Sequence, residues 1–128
     1  MVEIAQPLAN AVADEAGILS RAVVRAARLL GLTQREIAAV LGVSPATASR
    51  LFAGMYALDP ARRNEWELAR LFVRFYRSLD ALWGHEASAR AWLTSPNTAL
   101  GAAPVDLLGS IEGLVRVVNY LDAARGRL

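Results

Sequence analysis

The chain has no cysteine, no lysine and one histidine, His85. Without cysteine, disulfides and thiolate metal sites are excluded, and a reducing compartment is compatible. One histidine makes a histidine-based metal site a poor expectation. No apolar run approaches the roughly 18 residues that a bilayer span needs. Met1 to Leu8 carries Glu3 and no basic residue, so no secretory leader is readable there. A cytoplasmic protein without membrane association is the expectation. The catalytic signatures are missing as well. His85-Glu86 has no serine, cysteine or second histidine arranged with it, and Gly109 and Gly113 lack the preceding strand that a phosphate loop requires. Asp14-Glu15 and Glu65/Glu67 read as helix-start or surface charges. Neither an enzyme nor a cofactor site is expected.

What is present is apolar and arginine-rich. Hydrophobic residues make up 55% of the 128, enough for one compact domain or two small helical halves sharing a core. All 14 basic residues are arginines, and the formal net charge is +2. Five arginines against one acid, Glu36, fall between Arg21 and Arg50, whereas from Gly84 onward the two signs balance. A basic front half suits a polyanion such as DNA; an arginine-biased genome would give the same count.

Apolar periodicity is helical throughout, which predicts an all-α fold. Leu19, Val23, Ala26, Ala27 and Leu30 form one stripe, with Arg21, Arg25 and Arg28 on another face, and Gly31 ends that helix. Thr33 and Glu36 read as a capping box for a short helix to Val40. Ser44 followed by Pro45 opens a third helix to about Ala53. Asp59-Pro60 opens a long helix to about Trp83, apolar on more than one side. It either joins the two halves and supplies a homodimer seam, or forms the centre of one core. Gly84 stops it. A short helix to Leu93, an ordered loop over 95–104 and a last helix to Ala124 follow, with Asp106 as a cap near the last helix and Gly126 as its stop.

The segment from Gln34 to Leu51 carries a helix-turn-helix pattern. Ala38 is small where two helices cross, Gly42 tolerates positive φ in the tight turn, and Ile37, Leu41, Val43 and Leu51 face inward. Ala48 stands where such motifs more often carry a larger aliphatic residue. Ser44, Ala46, Thr47, Ser49 and Arg50 form a short, polar outer face suited to the major groove. Thr33 and Gln34 are placed for phosphate contacts. These seven are the candidate DNA-binding residues.

The second half contains Trp92-Leu93, Pro96-Asn97, Leu100-Gly101, Pro104, Asp106-Leu107-Leu108 and Gly113. In that order and spacing they resemble the toxin-binding domain of the Xre/MbcA/ParS antitoxin family. The front half looks like that family's Xre-type helix-turn-helix. The resemblance implies three regions: 1–58 for DNA binding, 59–83 as connecting and dimerisation helix, and 84–128 for toxin binding. It further implies an antitoxin that inhibits a RES-domain, NAD-consuming toxin and regulates its own operon as a homodimer on operator DNA. Candidate toxin-binding residues are Trp92, Asn97, Leu100, Pro104, Leu121, Arg125, Arg127 and Leu128, the cationic tail lying over the toxin's active-site entrance. Read from the residues alone, Trp92 suits core packing, Asn97 ties down its own loop, and the last helix carries an apolar band wider than one small core covers. A stand-alone transcriptional regulator without a toxin, and an interaction module with a defunct DNA motif, are the rival readings.

Overall fold

The computed structural model describes residues 2–127, and among them every regular element is helical: α1 (Val2–Leu30), α2 (Gln34–Leu41), α3 (Pro45–Phe52), α4 (Arg63–Trp83), α5 (Glu86–Thr94), a 3-10 turn (Pro104–Leu107) and α6 (Ile111–Gly126). The 95–104 loop is closed by one isolated bridge between Asn97 and Ala102. No helix among the described residues is long and apolar enough to cross a membrane.

Local chemistry fixes the first three helices. The Thr33 hydroxyl accepts from the Glu36 N–H at 3.0 Å, and Glu36 Oε1 accepts from the Thr33 N–H at 2.9 Å, which completes the capping box. Ser44 Oγ accepts from the Thr47 N–H at 3.1 Å, with Pro45 in the first turn. Gly42 has φ +67°, and the bonds Gly42 N–H to Ala39 O and Val43 N–H to Ala38 O close a left-handed helix end. The same bonding pattern ends α1 at Gly31 and α3 at Gly54.

α4 is the central element, packed against α1, α2, α5 and α6. Phe72, Phe75 and Leu79 are fully buried, with the two phenyl centroids 5.8 Å apart. A single hydrophobic cluster runs from Val23 in α1, through Ile37 and Leu51 of the helix-turn-helix and α4, to Leu93, Leu114 and Leu121. From α4 that cluster takes in Ala69, Phe72, Val73, Phe75 and Leu79, while Trp66, Leu68, Leu71, Tyr76 and Leu82 are half-buried against it.

Three expectations need correction. α4 begins at Arg63 rather than at Asp59-Pro60, because Asp59 Oδ1 accepts from the Ala61 N–H at 2.9 Å and holds a turn ahead of the helix. Asp106 caps nothing. It is exposed within the 3-10 turn, and Ser110 caps α6 by accepting from the Gly113 N–H at 3.0 Å. Glu65 lies in the first turn of α4 as read, yet is only 8% exposed, and both its oxygens accept from the Tyr56 hydroxyl, at 2.9 and 2.6 Å. Burial, and next the hydrogen bond to Glu65, push the Tyr56 phenol above its ordinary range.

Candidate DNA-binding and partner-binding surfaces

α2 and α3 meet across the Gly42 turn, and the inward side chains are those the motif requires. Ile37 and Leu41 are fully buried, Ala38 and Leu51 nearly so, and Ala48 is buried completely despite its small size. Thr33, Gln34, Ser44, Ala46, Ser49 and Arg50 are exposed. Thr47 is half-buried, and its hydroxyl accepts from Ser44 Oγ at 3.0 Å and from Arg50 Nη2 at 3.5 Å. Ala46, Ser49 and Arg50 share the outward face of α3.

The C-terminal candidates divide into two kinds. Leu100, Pro104 and Leu121 are buried in the chain's own core, so their motif positions serve packing and present no surface to a partner. Trp92 is half-buried, with its ring stacked on Tyr120 at 6.1 Å. Asn97 holds its loop, as its Oδ1 accepts from the Leu100 N–H at 3.1 Å. Arg125 and Arg127 are exposed; Arg125 Nη1 also donates to Ser78 Oγ at 3.1 Å. Ser78 donates in turn to Asp122, which forms an ion pair with Arg74, so the base of the cationic tail is tied to α4. Leu128 lies outside the described residues. On α6, Ile111 and Val115 stand one turn apart, 63% and 38% exposed, and Trp83 at the end of α4 is 45% exposed.

The sequence reading missed the side chain that joins these regions. Arg90 of α5 donates from Nε to Leu29 O at 2.8 Å and from Nη2 to Arg28 O at 3.2 Å, so it satisfies two carbonyls at the end of α1. Gly109 completes the seam, with its α-carbon facing Ala39 of α2. No short-range pattern announces either contact, since the Arg90 bonds span 61 and 62 residues. Among the described residues no cluster of three or more histidine, aspartate or glutamate side chains could hold a metal ion.

Residues 10–74 match the model of the antitoxin Xre-like helix-turn-helix domain, and residues 78–127 match that of the antitoxin Xre/MbcA/ParS C-terminal toxin-binding domain. No curated protein matches. Among solved structures, a chain in the crystal structure of the M. tuberculosis MbcT-MbcA toxin-antitoxin complex is similar. The TM-score is 0.61 and the identity 31%, with 87% of this chain and 97% of that chain covered. With both halves matched and the fold shared over most of its length, the chain belongs to the Xre/MbcA/ParS family of toxin-antitoxin antitoxins.

Proposed function

We propose that this antitoxin neutralises a RES-domain, NAD-consuming toxin encoded beside it, and represses its own operon as a cytoplasmic homodimer through α2 and α3. It performs no catalysis and needs no cofactor for either task.

One observation carries the toxin-binding half: the unit matched as a toxin-binding domain ends in an exposed α6 face, Ile111 and Val115, and a cationic tail, Arg125 and Arg127. Exposed aliphatic side chains set beside Glu112 and Arg116 suit a protein contact with a polar rim. Exposed guanidinium groups suit an entrance built for the phosphates of NAD. Trp92, half-buried and stacked on Tyr120, lies in the same matched unit. For the DNA half, Ser49 and Arg50 reach base edges and phosphates, while Thr33, Gln34 and Ser44 meet the backbone at helix N-termini.

Co-expression of the chain with the neighbouring reading frame tests the first half. The two proteins should co-purify, and cellular NAD should fall when the partner is induced alone. Deleting residues 125–128 should restore toxicity; full neutralisation by the shortened chain would remove the tail from the mechanism. For the second half, Ser49→Ala with Arg50→Ala should abolish retardation of the upstream DNA in a gel. Unchanged retardation would refute operator reading by α3.

A further inference from the structure

A groove of about 950 Å³ runs between the second half of α1 and the segment after α3. Val24, Leu51, Phe52 and Met55 supply its apolar wall, and Arg21 and Arg28 its rim. Met55 is 77% exposed. Arg28 is held in place: its guanidinium lies 5.7 Å from the Phe52 ring centroid, and its Nη2 donates to Phe52 O at 3.4 Å. Neither arginine belongs to a salt bridge among the described residues. An apolar trough edged by unpaired cations is complemented by an apolar helix edged by carboxylates.

The chain itself carries such a helix. α1 runs for 29 residues, about 43 Å at the α-helical rise. Among its described side chains the first buried one is Ala16, and Pro7, Leu8 and residues 10–15 are exposed. On that stretch Leu8 and Val12 are 69% and 43% exposed, and Asp14 and Glu15 are exposed beside them.

We propose that the groove is the homodimer seam and that its occupant is the first half of α1 from a second copy. This rests on the reading of the chain as a paired helix-turn-helix protein, and names the surface that makes the pair. Two α1 helices set antiparallel about Gly17, over which Arg21 lays its guanidinium, bring Asp14 beside the partner's Arg21. They also turn Val12 toward the partner's Met55. Under a two-fold axis every such contact occurs twice, which closes the assembly at two copies. The groove adjoins the C-terminal end of α3, so a seam there fixes the separation of the two α3 helices, the quantity that a palindromic site sets. α4, the other candidate seam, has Phe72, Phe75 and Leu79 inside its own core.

Sedimentation equilibrium on the full chain tests the proposal, with wild type compared to Met55→Asp, Arg21→Glu, Asp14→Arg and the double variant Asp14→Arg/Arg21→Glu. All three positions are exposed, so the fold is retained, and thermal melts check it. Wild type should be dimeric. Each single variant should weaken dimerisation about tenfold or more, and the charge-swapped double variant should regain most of that loss. Should a charge reversal melt early, Asp14→Asn and Arg21→Gln carry the same comparison. Singles that dimerise like wild type, or a double variant no better than its parents, overturn the seam and leave the paired-domain reading standing. A wild type that stays monomeric at the highest concentration reached, with and without its upstream DNA, overturns both, and leaves the groove to a different acidic partner.

Discussion

Gly113 is the third residue of α6, and replacing it with alanine should damage the fold. In an ordinary helix the exchange gains stability, by about 1 kcal/mol. Here a Cβ would stand 2.0 Å from the Leu107 carbonyl oxygen, 2.9 Å from its carbon and 2.9 Å from Ser110 Oγ. Non-bonded carbons rest at about 3.5 Å or more, so the Leu107 carbonyl must retreat by more than about 1 Å. That movement drags the 3-10 turn, including buried Pro104, and Leu108, which is 2% exposed. It also disturbs the Ser110 cap, whose bond ends on the Gly113 N–H. Overpacking of this kind costs about 1–3 kcal/mol, and a lost cap about 1 kcal/mol more. After the propensity gain the net destabilisation is about 2 kcal/mol, which at this chain length lowers Tm by about 8 °C. Differential scanning calorimetry of Gly113→Ala measures it. Gly126→Ala, in the same helix with nothing within 4 Å of its added Cβ, is the control and should be neutral or slightly stabilising. Gly113→Ala melting at or above the wild-type temperature would show that the turn yields freely, and the steric argument would fall.

Arg90→Ala removes two hydrogen bonds from the end of α1 and should cost about 1–2 kcal/mol in urea titration. Hydrogen exchange should rise at the carboxyl end of α1 and in α5 together; a rise confined to α5 would argue against the clamp. Tyr56→Phe leaves buried Glu65 with only Arg62, 3.9 Å away, and should cost about 1–3 kcal/mol. Because burial and then Glu65 raise the Tyr56 phenol, its protonated form is favoured in the fold. Its contribution is therefore present below the ordinary tyrosine value of 10.0 and lost as pH climbs through the raised one. Wild type should lose stability over that alkaline window, and Tyr56→Phe should lose less; equal pH profiles would contradict the assignment. Ser44→Ala removes the α3 cap and should lower stability by about 1 kcal/mol in the same titration, with no loss meaning that α3 is held by packing alone.

The parts legible in the sequence are those whose causes lie within a few residues of one another. The Thr33–Glu36 box, the Ser44-Pro45 start, and the glycine ends at positions 31, 42 and 84 each depend on neighbours three to five residues away. The Asn97 loop tie was readable for the same reason. Side-chain roles set by distant partners were not. Glu65 looks like any helix-start acid until Tyr56 closes over it, and Arg90 looks like any surface arginine until α1 ends against it. Leu100, Pro104 and Leu121 show a further limit: a recurring motif marks a position that matters, and packing and partner contact leave the same mark there. The stretch of α1 that carries exposed Leu8, Val12, Asp14 and Glu15 lies outside the readable stripe, which begins at Leu19.

The single hydrophobic cluster that threads both halves has a bearing on how members of such a family acquire new partners. Cutting the chain at residue 75 or so would strip neighbours from Phe72, Phe75 and Leu79 at once. A hybrid joining one relative's helix-turn-helix half to another's C-terminal half would need α4 to fit two unrelated sets of neighbours. Module exchange is therefore a steep route to altered specificity. Point changes on exposed ground, at Ser49, Ile111 or Arg127, leave the shared interior intact, and drift rather than recombination is the path this architecture favours.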